Sequence, residues 1–194
     1  MAKAKAKSMA ADVTELLHQD HQKVQELFFQ FSKAEENKEK EALVKEILTE
    51  LHIHATIEEE IVYPGIEEEV EEGDELVGEA ETEHKVVKFL MAELSHMTAA
   101  NPKFDANVTV LCELVVHHLR EEEKEMFKKL RESGADLEEL AEQVLERKAQ
   151  LKKQPLPEMT ASLTVGKKKE VAEKVSKLQG RKSATSKARG RKSA

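Results

Sequence analysis

The sequence predicts an all-α protein: an up-down-up-down four-helix bundle, an extra C-terminal helix and a disordered basic tail. Three observations carry that prediction. The first is composition. Glu, Lys, Leu and Ala dominate, aromatic residues make up 4%, and 194 residues include only 7 Gly and 4 Pro, a balance that favours helices over sheets. The second is periodicity, because apolar residues recur every three or four positions through four stretches of about 25 residues. The third is duplication. His54-Ala-Thr-Ile-Glu58 returns 64 residues later as His118-Leu-Arg-Glu-Glu122, and in each copy an aromatic residue, Tyr63 or Phe127, follows nine residues after the histidine. The upstream pairs Asp20-His21 and Glu83-His84 repeat at a spacing of 63. One two-helix unit is written twice.

The first helix is expected over about 12–35, capped by Asp12, with Leu17, His21, Val24, Phe28 and Phe31 along one stripe. Glu35-Glu36-Asn37-Lys38 supplies a turn. The second helix aligns Leu43, Ile47, Leu51, His54, Glu58 and Ile61 until Pro64-Gly65 interrupts it, and a solvated acidic run from Glu67 to Glu72 ends at Gly73. A third helix, about 74–98, turns Val77, His84, Val87, Met91 and Leu94 inward before Asn101-Pro102 breaks it. The fourth, about 104–131, carries Leu111, Leu114, Val115, His118, Glu122 and Met126 on one side and closes at Ser133-Gly134.

Asp136-Leu-Glu-Glu139 reads as a capping box for a further helix within 133–153, whose Leu137, Leu140, Val144 and Leu151 would dock on the bundle or on a second copy. After Pro155 and Pro157 the helical pattern fails. The expected organisation is therefore a disordered basic N-terminus at 1–11, the bundle at 12–132, the added helix at 133–153, and a linker with a Lys/Arg-rich tail at 154–194 that is too poor in apolar surface to order.

Charge divides the chain in the same way. The net charge of −8 conceals +3 in residues 1–7 and +9 in residues 167–194, where eleven Lys or Arg face two Glu, leaving −20 for the body between. Gly-Arg-Lys-Ser-Ala occurs twice in that tail, at 180–184 and 190–194. Clustered cations with small spacers suit non-specific contact with DNA or another polyanion through counterion release. No aromatics are interleaved, so base stacking is not expected. The single Cys112 excludes an internal disulfide framework and suits a reducing compartment. No apolar run approaches the roughly 20 residues that span a bilayer, and the basic N-terminus lacks the apolar segment of a signal peptide. A cytoplasmic protein without membrane contact is the expectation.

The inner stripes hold groups foreign to an apolar core. On a helix, residues four apart share a face, about 6 Å apart along the axis, so His54 with Glu58, and His118 with Glu122, can aim an imidazole and a carboxylate at one metal ion. His21 and His84 add two more imidazoles. An ionised carboxylate buried without a partner costs several kcal/mol, and these stripes contain no Lys or Arg. His21, His54, Glu58, His84, His118 and Glu122 are therefore the candidate metal ligands. Four imidazoles and two bridging carboxylates serve two octahedral ions, each sharing an oxo or hydroxo bridge and keeping a place for O₂, peroxide or NO. Mixed imidazole and carboxylate ligation suits iron best, and manganese or zinc less well. His18, His52, His96 and His117 read as surface or supporting groups, with His18 a candidate orienting partner for His21. Glu59, Glu60, Glu121 and Glu123 read as solvated neighbours, and Phe28, Phe31, Met91 and Met126 as core around the open position.

This arrangement resembles the haemerythrin-like HHE cation-binding domains, whose pattern is a His on the first helix, His-x-x-x-Glu on the second, His on the third and His-x-x-x-Glu or Asp on the fourth. The resemblance covers about 12–132 and implies a non-haem di-iron centre held by the six residues named above. One departure matters. Oxygen-carrying haemerythrins take a fifth His from a His-x-x-x-His pair on the third helix, whereas Ala80 and Lys88 stand four residues either side of His84 here. Glu81 or water is expected to fill that place. A site open at both irons favours redox chemistry with peroxide or NO, or oxygen and iron sensing, over O₂ storage; its enzymatic form would be catalase-like or peroxidase-like turnover. The alternative expectation is a nucleoid-associated protein, with a DNA-binding tail and a bundle that protects against iron and peroxide.

Overall fold

The computed structural model describes residues 12–160. The expectations for residues 1–11, for the end of the linker and for the basic tail lie outside them.

α1 (Val13–Lys33) starts where Asp12 accepts the backbone N–H groups of Thr14 at 2.9 Å and Glu15 at 3.1 Å, satisfying donors that the first helical turn leaves open. α2 (Asn37–Ile57) follows after a short break. It does not end at Pro64-Gly65, as the sequence suggested. At Glu58 it passes into a π-helical turn, Glu58–Val62, and helix resumes as α3 (Tyr63–Glu69) with Pro64 in its first turn. The Tyr63 N–H reaches back five residues to the Glu58 carbonyl, so the ladder is already reset when proline, which has no N–H to give, arrives.

The proline is not the cause of this turn. The second unit repeats it: α5 (Phe104–Glu121) passes into a π turn at Glu122–Met126 and continues as α6 (Phe127–Glu132), with Lys128 standing where the first unit has proline. What the two π turns share is a buried glutamate as their first residue.

Between the units, Glu72 adopts a left-handed backbone (φ 61°) and leads into α4 (Gly73–Ser95). A Cβ on residue 73 would lie 2.4 Å from the Ile66 carbonyl oxygen, so this close crossing requires glycine. α1 packs on α2 and α4 on α5, and contacts of α2 with α4 and of α1 with α5 close the ring into an up-down-up-down bundle. α7 (Leu137–Leu151) is capped by Asp136, which accepts the Glu139 N–H at 3.0 Å. It docks on the bundle, burying Ala141, Val144 and Leu151 against α1, α2 and the first π turn. No strand occurs among the described residues.

The core falls into two apolar clusters. Val24, Phe28, Ile47, Leu51, Val87, Met91, Leu111 and Val115 belong to one; Val13, Leu17, Ile57, Val62, Val77, Met126 and Leu130 belong to the other, together with the inner face of α7. Thr14 aside, the buried polar or charged side chains among the described residues are six: His21, His54, Glu58, His84, His118 and Glu122. On α1 and α4 these polar positions fall between the two clusters, with His21 between Leu17 and Val24 and His84 between Ala80 and Val87.

Candidate metal centre

All six predicted residues converge. The donor atoms of His21, His54, Glu58 and Glu122 lie within 4.8 Å of one another, as do those of Glu58, His84 and His118. Glu58 belongs to both groups: one oxygen is 3.1 Å from His54 Nε2 and the other 3.4 Å from His84 Nε2. Glu122 Oε2 stands 3.5 Å from both His21 Nε2 and His118 Nε2. Each carboxylate thus spans imidazoles from both units.

The electrostatics of this cage call for a cation. Nε2 of His21 and His54, both oxygens of Glu58 and Oε2 of Glu122 are buried without a hydrogen-bond partner, a situation that normally costs each group its full desolvation free energy. Burial pushes Glu58 well above the ordinary carboxyl range, and the Glu122 charge adds to that. Burial acts on Glu122 in the same sense, but the imidazoles of His118 and His21 outweigh it and hold Glu122 below its ordinary value. His54 is pushed down to about 4 by burial. Two carboxyls in one apolar cage resist joint ionisation; a positive ion among them reverses that preference and supplies the missing partner of every orphaned atom at the centre. The residues fit a metal ion with mixed nitrogen and oxygen ligation.

Behind the imidazoles lies a second set of carboxylates. Nδ1 of His21 is 2.8 Å from Glu123, Nδ1 of His84 is 2.8 Å from Glu59, and Nδ1 of His118 is 2.8 Å from Glu83. With Nδ1–H donating outward, each Nε2 lone pair is left facing the centre. Glu59 and Glu123 were expected to be solvated neighbours; they are instead half-buried orienting groups. Lys88 also holds Glu59, at 2.6 Å. Burial would raise Glu59, but His84 and Lys88 outweigh it and bring its pKa down to about 2. His18, expected as an orienting partner for His21, instead meets Glu123 at 2.9 Å, the same carboxylate oxygen that His21 contacts. The signal for this set was present in the duplication: Asp20 and Glu83 precede the inward histidines His21 and His84, and Glu59 and Glu123 follow the inward glutamates Glu58 and Glu122.

Glu81 is exposed and does not enter the site. The polar group brought to the second half of the centre is the Tyr63 hydroxyl, which donates to Glu122 Oε1 at 3.0 Å and stands 3.3 Å from His84 Nε2. Burial drives this phenol's pKa far upward, so it is held as a donor. Residues five apart on an α-helix lie about 140° apart, but one π turn returns them to nearly the same face. The π turn is therefore what points both Glu58 and Tyr63 inward, and an uninterrupted-helix reading could not find it. Phe127, at the matching place, stacks on His21 at 5.4 Å. Phe28, Phe31 and Met91 are core residues of one apolar cluster and Met126 of the other, while the aromatic rings stacked or tilted against the imidazoles are those of Tyr63 and Phe127. His117 is exposed, beside Glu83 and Glu121. His96 is also exposed, and His52 is half-buried.

Fold and site together define a helical-bundle protein built around a buried imidazole–carboxylate cation-binding centre. The model of the Hemerythrin HHE cation binding domain matches residues 12–130, and the chain belongs to that family. A solved HHE cation binding domain-containing protein from Mycobacterium kansasii is similar to it at 28% identity and a TM-score of 0.65, covering 74% of this chain and 88% of that one. A curated relative from Nostoc sp., named a DNA nickase, is 28% identical over 120 residues, which are 62% of this chain and 34% of the relative. The chain thus spans about a third of that protein's length. No helix among the described residues is long and apolar enough to cross a membrane.

Proposed function

We propose that the chain is a non-haem di-iron protein that binds or senses O₂, peroxide or NO at an open iron position. The observation that carries this reading is Glu58, whose two oxygens face imidazoles of different units at 3.1 and 3.4 Å; with Glu122 it would bridge two ions, one on His21 and His54, the other on His84 and His118. Bound iron would supply redox chemistry and an exchangeable coordination position. The chain's own residues orient the ligands through Glu123, Glu59 and Glu83, exclude water with Phe127 and the flanking apolar clusters, and hold one proton donor, Tyr63, at the second half. With Ala80 and Lys88 four residues either side of His84, the chain offers no fifth histidine there, and neither ion would be saturated by protein.

Metal content with an absorption spectrum, on protein purified without added metal, tests the reading. Two irons per chain and near-ultraviolet bands that shift with azide or peroxide are expected. No metal, or one tightly held zinc, would overturn it. If peroxide is turned over in catalase-like or peroxidase-like fashion, Glu58→Ala should abolish the turnover.

The charge asymmetry supports a second role, in which residues 167–194 contact DNA or another polyanion. The Nostoc relative's name makes supercoiled plasmid the substrate to use. Retardation that disappears with added salt and on deletion of 167–194 is expected; retardation that survives the deletion would sink this role.

A further inference from the structure

Three of the four inward imidazoles are backed at hydrogen-bond distance, and one is not. His21, His84 and His118 each give Nδ1 to a carboxylate at 2.8 Å. His54 Nδ1 is 3.8 Å from Asp20 Oδ2, and both atoms are buried without a hydrogen-bond partner. The same aspartate is also met from α7. Lys148 Nζ holds the other oxygen of Asp20 at 2.5 Å, and both side chains are mostly shielded from solvent. α7 is fixed over this corner by buried Val144 and by Arg147, which grips Glu60 of the first π turn through two hydrogen bonds of 2.6 and 2.9 Å. The helix lies beyond residues 12–130, the span matched by the family model.

A lysine alone does not explain the gap. Glu59 keeps Lys88 and still reaches His84. Asp20 is one methylene shorter than Glu83, its counterpart in the second unit, and does not span Lys148 and His54 together.

We infer that Lys148 is a positioning residue that draws Asp20 away from His54, and so makes the ion on His21 and His54 the more readily exchanged of the two. The inference rests on the two-ion reading above. An imidazole whose Nδ1–H donates to a carboxylate is the stronger ligand, and loss of such a partner costs about 10–100-fold in metal affinity. His84 and His118 both have that backing; of His21 and His54, only His21 does. The second pair should fill first and the first pair should empty first.

Release of ferrous iron from the loaded full-length chain to an excess of a coloured ferrous chelator, followed with time, tests this. Two phases of equal amplitude are expected. Asp20→Asn should leave the fast phase within about twofold, because Asp20 does not back His54. Glu83→Gln should speed the slow phase about tenfold or more. Lys148→Met, which frees Asp20, and Asp20→Glu, which lengthens it, should each slow the fast phase about tenfold. Thermal melts of the metal-free variants check that each one folds. If the parent holds two ions but releases them in one phase, if Asp20→Asn accelerates release as much as Glu83→Gln, or if Lys148→Met leaves the fast phase unchanged, the inference is wrong while the two-ion reading stands. A parent that binds fewer than two ions overturns both.

Discussion

The two units of the duplication place their inner donors alike and wall them differently. His21, His54 and Glu58 recur as His84, His118 and Glu122, and each glutamate opens a π turn. Yet the first unit sends Tyr63 across to the second unit's His84 and Glu122, while the second sends Phe127 across to His21. One half of the centre faces a hydroxyl donor and the other a plain ring. α7 adds a further inequality, since Lys148 engages Asp20, whose other oxygen stands 3.8 Å from His54 Nδ1. Repetition thus sets what can bind a cation, and single side chains outside the repeat set how the two halves differ.

The glutamates should break this likeness most sharply. They occupy matching positions but titrate oppositely when the cation is removed. Glu58 is raised, by burial first and then by Glu122, whereas the imidazoles of His118 and His21 outweigh burial and lower Glu122. Either residue changed to Gln should strip the centre of metal and of its metal-dependent rise in Tm. In the metal-free chain at neutral pH, Glu58→Gln should raise Tm, because a carboxyl whose pKa burial has raised must take up a proton on folding and the amide need not. Glu122→Gln should lower it, by the equivalent of about 3–5 kcal/mol, because it breaks a buried pair and leaves the imidazoles unmatched. Calorimetry with and without a chelator reads both; shifts of the same sign would show that the two carboxyls are equivalent after all.

A smaller effect is expected from exchanging the aromatic pair. Tyr63→Phe removes the donor to Glu122 Oε1 and should destabilise the metal-free chain by about 1–3 kcal/mol. Phe127→Tyr puts a hydroxyl beside His21 and should not recover that loss in the double variant. Urea unfolding of the two single variants and the double variant measures this, and full recovery in the double would mean that the halves are interchangeable.

The smallest effect concerns the outer carboxylates. Glu59 has its pKa lowered to about 2, so its stabilising contribution is complete above the ordinary carboxyl value near 4.5 and is lost as pH falls from there towards 2. Glu59→Gln should be less stable than the parent at pH 6, by under about 2 kcal/mol for this partly solvated group, and the two should converge near pH 2. A gap that stays constant across that range in denaturant titrations of the metal-free chain would mean that Glu59 does not act through its charge.

Much of the centre was legible before the fold was known, for identifiable reasons. The inward residues of four helices follow from apolar periodicity, and the six donors stand out because carboxylates and imidazoles on such stripes need an explanation. Pro64 misled because proline argues for a helix end, and nothing local announces that a π turn has already shifted the ladder. The same turn hid Tyr63, whose place depends on a phase change of the helix. Glu59 and Glu123 look like ordinary surface acids in a Glu-rich segment, since their partners His84 and His21 belong to the other unit.

The sequence by itself determined the helices, the duplication and the six inward donors, because positions three and four apart share a helix face whatever surrounds them. Only the tertiary structure decided which carboxylate backs which imidazole, which aromatic faces which half, and that Lys148 of α7 engages Asp20. Those pairings join residues 21 to 128 positions apart, so they depend on how the helices cross, and no local spacing encodes that.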